Sequence, residues 1–360
     1  MSKLEELIAE LCPDGVEYKS IREIAEVGTG NSNGNESVDN GLFPFFVRSQ
    51  TIKSKDDYEY DEEAIIIPGE GGIGEIFHYI NGKYALHQRV YRIHFIVEDV
   101  NTKFAYYYMQ AYFKPFILKK AVSATVTSIR KPMIEDFPLP VPPLPVQREI
   151  VRILDNFTEL TAELTAELTA RKQQYAYYRD KLLAFGDDVP KDTLENLCDF
   201  QYGKGNSIPT APGEYPVYGC NGVVGTTNVF NSIDAPVIGH IGSAGIVNWG
   251  KGKHFVTYNG TICKVRPEKM ISRYAYHLLC SLHLERFVKG SQPFLSYSDF
   301  AKKTVSVPPL NIQQRVVSIL DRFDTLCTDL SSGLPAEIEA RQKQYEYYRD
   351  KLLTFKELGA

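Results

Sequence analysis

The sequence predicts a mixed α/β (α+β) molecule made twice over: two globular domains separated by two long helices that pack as an antiparallel coiled coil, with pseudo-twofold symmetry from an internal duplication. Three observations carry that reading. At 360 residues the chain has room for about two domains. Residues 141–164, VPPLPVQREIVRILDNFTELTAEL, return at 307–330 as VPPLNIQQRVVSILDRFDTLCTDL, with 12 of 24 positions identical. The segments between these blocks have another texture, rich in Gly, Asn, Tyr, Phe and Val and punctuated by turn signals.

In chain order, residues 1–140 read as the first globular domain, 141–186 as the first rod, 187–306 as the second domain and 307–360 as the second rod. Within the domains, short runs such as AIIIP, YPVYG, APVIG and TICKV read as strands, and Asn81-Gly82, Asn221-Gly222 and Asn259-Gly260 as turns. Segments 101–121 and 269–289 read as helical. The domains are themselves weakly parallel: VEYKSIREIAEVGTG is echoed by KDTLENLCDFQYGKG, and FAYYYMQ by YAYHLLC.

Each rod opens on Val-Pro-Pro, which forces an extended entry because proline restricts the residue before it. In the first rod Ile150, Ile153, Phe157, Leu160 and Leu164 step by three and four, and Leu168, Tyr175, Tyr178, Leu182 and Phe185 continue the rhythm, a narrow seam at coiled-coil spacing. The tetrapeptide TAEL repeats between Leu160 and Leu168, the stutter a four-residue insertion produces in a heptad pattern. About 40 residues of helix make a rod of roughly 60 Å. In the second copy Ile312, Val316, Ile319, Phe323, Leu326 and Leu330 repeat the seam, which resumes in Ile338, Tyr345, Tyr348 and Leu352. SSGLPAE interrupts it, so Gly333 and Pro335 predict a break or kink, with Pro335 in the first turn of the resumed helix.

Composition excludes several classes. With 43% hydrophobic and 24% charged residues the chain is an ordinary globular one, neither disordered nor collagenous. The N-terminus MSKLEELIAELCPDG has no signal-like apolar run, and no stretch of 18 uninterrupted apolar residues occurs, so a cytoplasmic protein without membrane spans is expected. Cys12, Cys198, Cys220, Cys263, Cys280 and Cys327 contain no C-x-x-C pair and read as reduced core thiols.

Catalytic motifs are missing. No Walker A, H-E-x-x-H, G-x-S-x-G or Asn-Pro-Pro-aromatic sequence is present, and the seven histidines form no ligand-spaced pair. GEGGIG at 69–74 follows a strand-like run, but an Asn-Gly turn rather than a sustained helix comes next, so a glycine-rich hairpin is expected there in place of a dinucleotide site. The net charge of −5 argues against a generic polyanion binder. Its distribution answers the objection. Lys103, Lys114, Lys119, Lys120, Arg130 and Lys131 occupy 101–134 without an acid, and Lys251, Lys253, Lys264 and Arg266 do the same in 235–267, one basic stretch per domain.

These residues resemble the specificity (S) subunits of type I restriction-modification enzymes along essentially the whole chain. The rods, TAEL repeat included, are similar to that family's central and distal spacer regions. GGIGEIFHYINGKYALHQRVYRI in the first domain, and YPVYGCNGVVG, IGSAGIV and GSQPFLS in the second, resemble its target-recognition domains. The resemblance implies that each target-recognition domain binds half of a bipartite, asymmetric site on double-stranded DNA and that the helices set the spacer and dock two modification (methyltransferase) subunits. It further implies that restriction/translocase subunits add cleavage, and that S-adenosylmethionine, ATP and Mg reside on those partners, leaving this chain non-catalytic and without cofactor or metal. On residue type and local charge, the DNA-contact candidates are Gln88, Arg89, Arg92, Lys119, Lys120, Arg130 and Lys131 in the first domain. In the second they are Lys204, Asn221, Lys251, Lys253, Tyr258, Asn259, Arg266 and Ser296. Two other classes compete with this reading: a non-catalytic coiled-coil scaffold whose domains bind protein or glycan, and a nucleotide enzyme built on the glycine-rich loops.

Overall fold

The computed structural model describes residues 3–120, 128–205, 212–328 and 333–359. The chain divides into two compact units, residues 1–163 with 339–360, and residues 164–338. The division falls inside the rods, so each unit contains rod segments from both copies.

The first unit opens with α1 (Lys3–Leu11), β1 (Tyr18–Ser20), α2 (Ile21–Ile24), β2 (Ala25–Thr29), β3 (Phe43–Phe46), β4 (Lys53–Lys55), β5 (Tyr60–Pro68), β6 (His78–Leu86) and β7 (Val90–Phe95). It continues through α3 (Thr102–Lys120), α4 (Lys131–Glu135), β8 (Pro138–Pro140) and the long α5 (Leu144–Leu183). Its main sheet has the order β2-β7-β5-β6-β3-β4, and β1 pairs separately with β8. Ile65 and Ile67 of β5, Ile93 of β7, Phe104 and Phe113 of α3 and Ile150 of α5 share one buried core, which packs the helices against the sheet.

The second unit repeats this order. β9 (Lys191–Thr193), α6 (Leu194–Leu197), β10 (Cys198–Tyr202), β11 (Tyr215–Gly219), β12 (Gly222–Thr227), β13 (Ser232–Gly239), β14 (Val247–Val256) and β15 (Gly260–Val265) precede α7 (Ser272–Ser281), β16 (Thr304–Ser306) and α8 (Leu310–Thr328); α9 (Leu334–Leu352) follows. The sheet order β10-β15-β13-β14-β11-β12 matches the first position for position, and β16 pairs with β9 as β8 does with β1. Even the tight spots recur. A Cβ on Gly30 would lie 1.8 Å from the Leu86 carbonyl oxygen, and one on Gly203 would lie 2.1 Å from that of Thr257, so both positions admit only glycine.

The expected helix over 269–289 is shorter than predicted: α7 ends at Ser281, and His283, at φ +49°, turns the chain into a short 3-10 segment. Asn221-Gly222 and Asn259-Gly260 lie where turns were expected, but Asn81-Gly82 lies within β6, where Gly82 pairs with Glu62. Cross-strand pairing along the whole of β6 overrides the local turn signal, and the positive φ of Gly82 absorbs the distortion. GEGGIG connects β5 to β6 as a hairpin loop with Gly71, Gly72 and Gly74 at positive φ, and a strand rather than a helix follows it.

α5 is a single 40-residue helix. Its N-terminal part differs from the predicted seam, because Val146, Ile150 and Leu154 are buried while Ile153 is half-buried. There the helix faces a globular core, which selects a stripe stepping by four. Farther on, Phe157, Leu160, Leu164 and Leu168 are half-buried and the TAEL positions between them mostly exposed, as a thin seam requires. The second rod is divided into α8 and α9 around Gly333, with Pro335 second in α9; residues 329–332 lie outside the described residues. Phe157 stacks on Tyr348 at 5.5 Å and Tyr178 on Phe323 at 5.9 Å. By the duplication these are one pair exchanged, one stack within each unit.

Candidate nucleic-acid interface

Six of the fifteen predicted contact residues fall on the loops at one end of each sheet. In the first unit β6 runs into the turn carrying Gln88 and Arg89, both exposed. The turn is fixed by backbone bonds: His87 N–H donates to Phe46 O, Gln88 N–H to Ser32 O, and Gly69 N–H to Arg89 O at 2.9 Å. Ile129 N–H donates to Gly69 O, which brings the 128–130 segment alongside, and Arg130 caps the start of α4. Gln88, Arg89 and Arg130 thereby line one recess of about 240 Å³, with Glu70 and Tyr91. Glu70 is the hub. One of its oxygens accepts from Arg48 and both accept from Nη1 of Arg89, each at 3.0 Å. The two guanidiniums, Arg89 foremost, hold its carboxyl below the usual carboxylate range. Gln88 donates to Asn33 Oδ1 at 2.8 Å.

The second unit uses the same frame. Thr257 N–H donates to Tyr218 O, Tyr258 N–H to Gly205 O, His240 N–H to Asn259 O, and Leu295 N–H to His240 O. Each bond has its counterpart above, which sets Tyr258 where the first unit has Gln88, Asn259 where it has Arg89, and Ser296 where it has Arg130. The chemistry differs. His240, in the place of Gly69, contacts Tyr202 (4.2 Å between ring centroids), Tyr258 and Phe294, while Ser296 bonds to the Tyr202 hydroxyl at 3.0 Å. An arginine–glutamate cluster in one unit is an aromatic and amide cluster in the other.

The remaining candidates scatter. Arg92, on β7, is drawn into ion pairs with Glu62 (3.0 Å) and Glu26 (3.4 Å) and is largely covered. Lys119 is exposed near the end of α3, and the Lys120 side chain lies outside those described. Lys131 pairs with Glu135 at 3.5 Å. Lys204 is exposed before the 206–211 segment, and Asn221 is exposed in the β11–β12 turn. Lys251 and Lys253 lie on β14, with the Lys253 ammonium 4.9 Å from the Phe230 ring centre. Arg266 approaches Asp199 at 3.5 Å.

The acid-free stretches are therefore not acid-free in space. Asp155 takes Lys103 at 2.7 Å, and Glu75 takes Lys114. Sequence reasoning missed Arg48, Glu70, Tyr202 and His240. The signal that finds them is the alignment of the two halves, because each lies at the end of a matched strand or in the loop that follows. Among the described residues no cluster of His, Cys, Asp and Glu is arranged to hold a metal ion, and no helix is long and apolar enough to cross a membrane.

Two sheets of one topology thus present different polar side chains from the same backbone positions, one tip in each half. A family model described as the type I restriction modification DNA specificity domain matches residues 13–171 and again 188–340. The chain belongs to that family, the specificity subunits of type I restriction-modification systems. It is 34% identical over 249 residues to a type I specificity subunit of Mycoplasma pneumoniae, covering 61% of this chain and 97% of the relative. It is 29% identical over 395 residues to a type I restriction enzyme specificity subunit of Haemophilus influenzae, covering 94% and 96%. The crystal structure of a type I S subunit from M. genitalium has the same fold, with a TM-score of 0.64 at 18% identity, covering 94% of this chain and 95% of that one.

Proposed function

We propose that this chain is the DNA-reading, non-catalytic subunit of a cytoplasmic type I restriction-modification complex. Each unit reads one half of a bipartite, asymmetric site on double-stranded DNA, and the rods set the spacer between the halves and dock two modification subunits. Methyl transfer, cleavage and translocation, with S-adenosylmethionine, ATP and Mg, belong to the modification and restriction/translocase partners. The observation that carries this reading is the repeated backbone frame at the two tips with its exchanged side chains: Gln88, Arg89 and Arg130 in one, Tyr258, Asn259 and Ser296 in the other. A common scaffold docks both halves alike, while unlike side chains require unlike bases.

The remaining exposed candidates, Lys119, Lys131, Lys204, Asn221, Lys251 and Lys253, serve as phosphate contacts in this reading, and Arg266 and Arg92 as supports of the sheet. Methylation mapping with the purified complex of this chain and its modification subunit tests the proposal, and a two-part asymmetric motif is expected. Arg130, exposed and without an ion pair among the described residues, gives a sharper check. Arg130→Ala should weaken DNA binding and reduce the slope of log affinity against log salt by about one, read by titration at several salt concentrations.

A further inference from the structure

The repeated frame singles out one position. Arg89 and Asn259 are each the second residue of the turn that leaves β6 or β14, and each gives its carbonyl oxygen to the first residue beyond the neighbouring strand, Gly69 or His240. Their side chains are the two that match purine edges in the major groove. Guanidinium donates a pair of hydrogen bonds to guanine N7 and O6, and a carboxamide both donates to and accepts from adenine N7 and N6. The surroundings leave both groups ready. Glu70 engages Arg89 through Nη1 alone, so Nε and Nη2 have no partner among the described residues, and the side chain is 57% exposed. The Asn259 carboxamide likewise has no hydrogen-bond partner among the described residues, and the residue is half-exposed.

Resting on the function proposed above, we infer that this one backbone position is the base-reading position of both units: Arg89 reads a guanine in the first half-site and Asn259 an adenine in the second. Glu70 is a positioning residue. With Arg48 on its other side it fixes one nitrogen of Arg89 and so orients the free edge of the guanidinium, which lowers the ordering cost of the contact. Lysine at position 89 would keep the charge but not the two-pronged geometry.

The test is methylation of a DNA pool, randomised in both half-sites, by the complete complex of this chain with its modification subunit. Arg89→Ala should relax discrimination at a single G·C pair of one half-site by roughly 10- to 100-fold and leave the other half-site intact. Asn259→Ala should do the same at a single A·T pair of the other half, and Arg89→Asn should move the first preference from guanine toward adenine. Glu70→Gln should weaken discrimination at the Arg89 base pair only. Because Arg89 and Glu70 lie at the surface, the folded fraction of each variant is checked by circular dichroism before scoring. A uniform loss of methylation with an unchanged motif would make Arg89 a phosphate contact and overturn the inference, as would relaxation at a pair of the wrong type. A wild-type complex that yields no two-part motif overturns the functional reading itself, a failure distinguishable from both.

Discussion

Gln147 and Gln313 are fully buried polar side chains at matched positions of the two rods, and each spends its whole amide on backbone. Gln147 accepts from Asn101 N–H and donates to the carbonyls of Asp99 and Pro142. Gln313 accepts from Ile271 N–H and donates to those of Lys269 and Pro308. Each glutamine thus ties the start of a rod to the loop that begins a domain helix. Removing it strands a buried donor and two acceptors, so Gln313→Ala should cost about 2–4 kcal/mol. Trp249, the single tryptophan, lies on β14 in the same unit, so its fluorescence in urea reports the lowered midpoint directly. Identity of this glutamine in both copies is visible in the sequence; its burial and its partners in the domain are not, because two of the three partners lie more than 40 residues away.

At the scale of elements, the junction between domain helix and rod is one design with two chemistries. In the first unit Lys103 and Tyr107 of α3 meet Asp155 of α5. In the second, Arg273 and His277 of α7 meet Asp321 of α8, with Asp324 also bound to Arg273 and Tyr175 bound to His277. A carboxylate only accepts, so neutral His277 donates from Nε2 to Asp321 and accepts from the Tyr175 hydroxyl at Nδ1. Burial pushes its pKa below the ordinary 6.5, against the opposing pull of Asp321. The unfolded chain therefore binds the extra proton first, and the second unit should lose stability as pH falls from about 6.5 toward the folded-state pKa. Urea midpoints followed by Trp249 should show that decline, and His277→Gln should flatten it. The match of Tyr107 to His277 and of Asp155 to Asp321 is legible in the repeated sequence; that each pair is in contact appears only in the packing of α3 and α7 on the rods.

At the scale of the molecule, the proposed spacer role rests on α5. Its middle is held by half-buried Leu160, Leu164 and Leu168 and little else, so a four-residue unit can be removed without opening a core. Deleting Thr161–Leu164 shortens the helix by about 6 Å, more than one base-pair step, and should shorten the unspecified spacer while leaving both half-sites unchanged; a methylation map of the deletion variant gives the answer. Net charge bears on the same level. The −5 of the chain says little about its surface, since carboxylates distant in sequence pair with Lys103 and Lys114 of the first basic stretch and with Arg266 of the second.

The sequence by itself determined the duplication, the long helices, the break at Gly333–Pro335, the mixed α/β class and the family, because periodicity, proline geometry and long identical blocks are local properties of a chain. Tertiary structure alone decided the exchange of rod segments between units, the hub at Glu70, the loss of Arg92 to the sheet, and the alignment of Arg89 with Asn259. Those depend on which loops meet at a sheet end, and that is set by strand order and long-range hydrogen bonds rather than by neighbours along the chain.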